Sequence, residues 1–198
     1  MRLVLASQSA GRRAILANAG ILHDVMAAQC DEEAEKEALR AGGADARMLA
    51  LGLAEAKALG TSLACPGALV LGCDQTLALD DGTMFDKART MAEQAEHLRR
   101  LSGRTHSLFA AMAIARDGEI IWRDVEEARM TMRSLSDAFI ADYLAAEGDG
   151  LLSGVGGYRI EGRGIQLFED AEGSHFTIIG LPLLPLLAFL RNAGVIAG

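Results

Sequence analysis

A chain of 198 residues that is 51 % apolar is long enough to close one large domain, or two small lobes, around a real core. Its 27 acidic against 19 basic side chains leave a net charge of -8, which argues against a protein that coats nucleic acid, because that binding needs a surplus of cations to meet phosphates. A small anionic ligand would instead need a local cationic pocket.

The first element expected is a buried strand over 3–6, "LVLA", which breaks into Ser7, Ser9 and Gly11 before Arg12 and Arg13 open a helix over 14–19. The stretch is too short for a signal peptide, and Asn18, His23 and Asp24 interrupt the chain beyond the arginine pair. A second strand is expected at "HDVMAA". "CDEEAEKEALRAGGADARM" reads as a solvated loop or helix start, leading into the helical "ARMLALGLAEAKALG", with Lys57 one turn before a glycine stop. "GALVLGCD" is a buried strand ending on Asp74, and Asp81-Gly82 between apolar runs predicts a hairpin after it. An amphipathic helix, "TMAEQAEHLRRLSG", stops at Gly103. Two long strands follow around Asp117-Gly118, then a helix from its N-cap Ser136 to Glu147. The glycine-dense "GDGLLSGVGGYRIEGRGI" is too polar for core; a strand at Gln166–Phe168 and a buried terminal helix complete the pattern. The late run "IIGLPLLPLLAFL" contains Pro182 and Pro185 and falls short of the about 20 residues a membrane span needs. Alternating helices and strands with hairpins predict an α/β fold with a mixed sheet flanked by helices. No repeat or linker divides the chain, so 1–198 is expected to be a single domain.

Two constellations carry chemistry. Ser7, Ser9, Arg12 and Arg13 place hydroxyls, backbone N–H groups and cations at one strand–helix turn, as a phosphate grip requires or as an ordinary polar turn would also show. Asp74 at a strand end is placed either to hold a divalent cation or accept a proton from water, or simply to close a turn. Asp31, Glu32 and Glu33 form an acidic cluster able to add metal ligands. Lys57 and Lys87, each taken alone, read as surface cations. His23, His97, His106 and His175 lack metal-ligand spacing, and there is no Walker loop, dinucleotide fingerprint or nucleophile elbow. Cys30, Cys65 and Cys73 are odd in number without C-x-x-C spacing, which points to free thiols in a reducing, cytoplasmic compartment.

In their order and spacing, "LASQSAGRRAIL", "CDEE", "LAEAKA", "LGCDQTLALDDGTMFDKA", "LRRLSGRTH", "GYRIEGRG" and "GSHFTIIGLPL" resemble the Maf family of nucleoside triphosphate pyrophosphatases from end to end. Two positions depart from the family pattern. Ala10-Gly11 stands where a Pro-Arg or similar pair is usual, which is expected to relax the loop before the arginines; Ala88 replaces the proline after Lys87, removing a backbone restraint.

The resemblance implies two lobes around an elongated cleft, with functional roles at Ser7, Arg12, Arg13, Glu32, Lys57, Asp74, Lys87 and Glu161. Asp74 would be proton acceptor or metal ligand, with Glu32 as the second ligand to Mg2+ or Mn2+. Four cations, Arg12, Arg13, Lys57 and Lys87, would neutralise a triphosphate. Asp74-Gln75 and Glu161 resemble the 7-methyl-GTP subgroup, whereas members that take dTTP and UTP usually carry Asp-Thr and glutamine there. The expectation is a house-cleaning hydrolase that converts a modified nucleoside triphosphate to monophosphate and pyrophosphate. A dTTP/UTP pyrophosphatase and a non-catalytic nucleotide-binding regulator of cell division are the alternatives. No stable nucleic-acid or membrane partner is expected, and a homodimer is left open.

Overall fold

The computed structural model describes residues 2–197. Along them run β1 (Leu3–Ala6), α1 (Ala10–Asn18), β2 (Asp24–Met26), α2 (Glu32–Ala41), α3 (Ala46–Leu63), β3 (Leu69–Leu79), β4 (Met84–Phe85), α4 (Met91–Leu101), β5 (Thr105–Arg116), β6 (Glu119–Met132), α5 (Asp137–Glu147), β7 (Phe168–Glu172), α6 (His175–Ile179) and α7 (Leu183–Asn192). Short 3-10 turns occupy Gly148–Ser153 and Arg163–Leu167. The strands form one seven-stranded sheet in the order β2-β1-β3-β5-β6-β7, with β4 paired to β3. β1 runs parallel to β2 and β3, whereas β4 and β7 pair antiparallel with β3 and β6. The expected mixed sheet flanked by helices is therefore the fold.

The chain divides into two compact units. One comprises the chain up to Gln75, Phe109–Glu126 and the segment from Ser174 onward. The period-2 alternation of β5 builds its core on two faces. Met112 and Ile114 join Leu3, Leu5, Leu16, Leu69, Leu71 and the α7 leucines Leu183, Leu186 and Leu190. Ala111, Ala113 and Ala115 meet Ala50, Ala54 and Ala58 of α3. Each fully buried leucine contributes about 2 kcal/mol, while the alanine face gives up area to let helix and strand backbones approach. The other unit comprises Thr76–Leu108 and Glu127–Gly173. Leu77, Phe85, Leu98, Leu101, Leu108, Met130 and Ile140 are buried there.

Local chemistry explains several element ends. Asp117 and Gly118 both have positive φ, +51° and +87°, the turn that matches the twist of a two-residue hairpin. Ser136 Oγ accepts from the Phe139 N–H at 3.2 Å and starts α5. Other expectations are corrected. The first helix begins at Ala10, so Ala10 and Gly11 form its first turn instead of a relaxed loop. The charged segment, left open as a solvated loop or a helix start, is the latter: α2 buries none of its residues and is capped by the Asp31 carboxylate on the Ala34 N–H at 3.1 Å. α3 continues through Gly60 to Leu63. The late strand lies at Phe168–Glu172, because Arg163–Leu167 coils into a 3-10 turn. The apolar C-terminal run is split at Gly180, whose φ of +100° ends α6, and α7 starts after Pro182, which holds its N-cap position without a side-chain hydrogen bond. Pro185 falls in the first turn of α7, where its missing N–H has no intrahelical partner to lose. No helix among the described residues is long and apolar enough to cross a membrane.

Candidate active site

The parallel part of the sheet ends where β1 does: the last β1–β3 pair is Ala6 with Gly72. Ser7 follows immediately on β1, and Asp74 lies two residues further along β3. Asp74 is not at the end of its own strand, as the sequence suggested, because β3 continues to Leu79. It does lie at the carboxyl end of the parallel ladder, where open α/β sheets place ligands. After Ser7 the chain turns into α1. The Ser9 N–H donates to Ser7 Oγ at 3.2 Å, and Ser9 Oγ accepts from the Arg12 N–H at 3.4 Å as the N-cap.

Two glycines bring the ionic centre together. A Cβ on Gly72 would sit 2.1 Å from the Ala54 carbonyl oxygen and 2.6 Å from the Ala58 nitrogen. β3 therefore touches the α3 backbone directly, and Asp74, on the same strand face as Gly72, meets Lys57. A Cβ on Gly60 would sit 2.0 Å from the Gln29 carbonyl oxygen. That close approach seats the segment leading into α2 against α3, aided by the Gln29 N–H donating to Thr61 Oγ1 at 3.1 Å. Gly60 is thus a contact point inside the helix and not its stop.

The result is a triad. Lys57 Nζ donates to Asp74 Oδ1 at 2.6 Å and lies 2.8 Å from Glu32 Oε2. The Lys57 and Asp74 side chains are 9 % and 12 % exposed, while Glu32 is 46 % exposed. Burial by itself would lower the Lys57 pKa, but the charges and hydrogen bonds of Asp74 and Glu32 outweigh it and hold the ammonium above the ordinary lysine value. Lys57, a surface cation when read alone, is a buried charge with two carboxylate partners. Next to Asp74, burial pushes the Cys73 thiol up to about 11, so it stays protonated and is a poor nucleophile near neutral pH.

Arg12 is fixed as firmly. Its Nε donates to the Gly180 carbonyl at 2.9 Å, and its Nη1 donates to the Cys73 carbonyl at 2.8 Å and to Ser7 Oγ at 3.4 Å. The guanidinium ties α1 to the strand carrying Asp74 and to the turn after α6. Gln75 works on the same helix, its Nε2 donating to the Thr177 and Ile178 carbonyls at 2.9 and 3.1 Å, while Thr177 Oγ1 donates to Glu126 Oε2 at 2.5 Å. Sequence reading missed Glu126, Thr177 and Gly180 as supports. Arg13, one residue on, is exposed and makes no side-chain hydrogen bond or ion pair among the described residues.

Ser7, Arg12, Glu32, Lys57, Asp74 and Gln75 all belong to the first unit. Lys87 and Glu161 are exposed residues of the second, the former just after β4 and the latter ahead of the Arg163–Leu167 turn. Asp31, one of the acidic cluster, is used as the α2 cap. No group of three or more His, Cys, Asp or Glu side chains able to hold a metal occurs among the described residues. A nucleotide-bound Mg2+ needs only one or two carboxylates, with phosphate and water oxygens completing its shell. Glu32 and Asp74, converging on one ammonium with Asp74 Oδ2 outside any hydrogen bond among the described residues, fit such an ion.

A cationic strand–helix turn is thus braced beside a buried carboxylate at the end of a parallel ladder, the place where open-sheet α/β proteins take their ligands. The family model described as Maf-like protein matches residues 2–193, and the chain belongs to the Maf family. It is 52 % identical to a nucleoside triphosphate pyrophosphatase of Sphingopyxis alaskensis over 98 % of each chain. It is also 52 % identical to a 7-methyl-GTP pyrophosphatase of Rhizobium meliloti, over 98 % of this chain and 97 % of the relative, and 51 % identical to one of Mesorhizobium japonicum, over 100 % and 98 %.

Proposed function

We propose that this protein hydrolyses a nucleoside triphosphate, 7-methyl-GTP before unmodified nucleotides, to the monophosphate and pyrophosphate in the cytoplasm, as a step of nucleotide-pool sanitation. The observation that carries the reading is the buried Asp74 carboxylate, fixed through Oδ1 by Lys57 and leaving Oδ2 unengaged. Water attacks the α-phosphorus, its proton passes to Asp74 Oδ2, and the bond from that phosphorus to the bridging oxygen breaks to release pyrophosphate. Arg13, Arg12 Nη2 and Lys87 are the cations assigned to the phosphate charge, with Ser7 Oγ donating to a phosphate oxygen. As the alternative to accepting that proton, Asp74 Oδ2 would join Glu32 in holding a divalent cation, which when bound neutralises phosphate charge and lowers the pKa of a bound water. Lys57 keeps the two acids side by side.

The base preference is supported by the relatives named 7-methyl-GTP pyrophosphatase and by a physical argument at Glu161. Methylation at N7 gives guanine a positive charge, so a carboxylate aimed at the base favours it over a neutral base by about 1 kcal/mol. Purified protein, Mg2+ and a panel of triphosphates read for pyrophosphate test both levels. Asp74→Asn is expected to lower kcat by about 10²-fold or more with little change in KM. Nucleoside diphosphate as the main product would overturn the pyrophosphatase reading; a preference for dTTP or UTP would overturn only the base assignment.

A further inference from the structure

The glycine-dense segment of the second unit is held more firmly than its composition predicts. Three successive residues are each tied by a side chain from a different element. Gln94 Nε2 of α4 donates to the Gly156 carbonyl at 3.2 Å. Tyr143 Oη of α5 donates to the Gly157 carbonyl at 3.4 Å. Tyr158 Oη lies 2.7 Å from Nε2 of His106 on β5. Gln94, His106 and Tyr143 are buried, Gln94 and His106 completely. The backbone meets them closely enough to require glycine. Gly156 and Gly157 have φ of +83° and +67°, and a Cβ on Gly157 would lie 1.9 Å from Gln94 Nε2. The Tyr158 ring stands edge-on to Phe168, with centroids 4.8 Å apart.

Beyond this clasp the chain closes on itself. The Gly162 N–H donates to the Arg159 carbonyl at 3.1 Å, and a Cβ on Gly164 would lie 2.4 Å from the same oxygen. Glu161 sits at the tip of that closed turn, exposed and without a side-chain partner among the described residues. A carboxylate that discriminates between bases has to be held in place before the base arrives, since each ångström of freedom weakens its charge preference.

We infer that Gln94, Tyr143 and His106 are positioning residues for Glu161, clasping Gly156–Tyr158 so that the Arg159–Gly164 turn presents its carboxylate in one place to the cationic base of the substrate. The inference rests on the base-reading role proposed for Glu161. None of the three residues touches the substrate; they act through the backbone.

The test compares wild type with Glu161→Gln, Gln94→Met and Tyr158→Phe in two measurements. One is the ratio of kcat/KM for 7-methyl-GTP to that for GTP; the other is amide hydrogen exchange over 155–165 in the ligand-free protein. Gln94→Met keeps the side-chain volume while removing the hydrogen bond, and Tyr158→Phe is a milder second variant should the first fold poorly. Both are expected to speed exchange across the segment and to cut the ratio by about 5-fold, through KM for 7-methyl-GTP, while kcat for GTP stays within about 2-fold of wild type. If Glu161→Gln lowers the ratio while both clasp variants leave it and the exchange unchanged, the positioning role is overturned and the Glu161 reading stands. If Glu161→Gln itself leaves the ratio unchanged, the base reading falls, and the inference with it.

Discussion

Replacing Lys57 by methionine removes one buried cation and strands two carboxylates. The burdens differ: Glu32 is 46 % exposed and turns to water, whereas Asp74 is 12 % exposed and is left in a site built for an ammonium 2.6 Å away. Breaking a buried ion pair from one side costs about 3–5 kcal/mol. With half the acidic charge able to resolvate, Lys57→Met is expected at the lower end, about 3 kcal/mol at pH 7. Asp74→Asn leaves Lys57 paired with Glu32 and keeps a hydrogen-bond acceptor, so its cost is about 1–2 kcal/mol. Glu32→Gln removes a half-exposed partner and falls within about 1 kcal/mol. In the double variant Lys57→Met/Asp74→Asn no buried charge is left alone, and much of the lost stability returns. Urea unfolding of the four variants at pH 7 measures the series. The geometry would be refuted if Lys57→Met lay within about 0.5 kcal/mol of wild type, or if Glu32→Gln cost as much as Lys57→Met.

The two adjacent arginines are expected to separate. Arg12→Lys replaces a fork that serves the Cys73 and Gly180 carbonyls with a point charge, and should lower stability by about 2 kcal/mol. Arg13→Ala should leave the unfolding free energy within about 0.5 kcal/mol and raise KM instead; thermal melts alongside kinetics decide it, and the reverse pattern would exchange the two roles. His106 supplies a pH signature. Burial lowers its pKa from 6.5 to about 4, so the unfolded chain takes up a proton that the folded protein refuses. Its share of stability is present in full above pH 6.5 and is lost as pH falls towards about 4, a difference of about 3 kcal/mol. Unfolding midpoints at pH 7 and pH 4.5 should therefore move closer together in His106→Gln; an unchanged gap would show that other groups set the acid sensitivity.

Features that depend on neighbours along the chain are legible before any folding. The Asp117-Gly118 hairpin was legible because both residues tolerate positive φ, and α5 because Ser136 is a strong N-cap. The buried strands showed as apolar runs, and the motifs around Arg12 and Asp74 marked the candidate site. Features that depend on segments distant in sequence emerge only in the folded chain. Gly60 read as a helix stop because a glycine in a helix looks like a break until the Gln29 carbonyl is seen against it, and Gly72 showed nothing until α3 lay across it. α2 is solvated as its composition implies, none of its residues being buried, but its Asp31 cap and acidic first turn leave helix and charged loop undistinguished along the chain. The polar Gln75 and Thr76 after Asp74 conceal in the sequence that β3 continues to Leu79. Lys57 passed for a surface cation because its two carboxylates come from Glu32, ahead of α3, and Asp74, beyond it. A local pattern fixes backbone preference; a buried ion pair is fixed only when packing removes the water that would otherwise separate its charges.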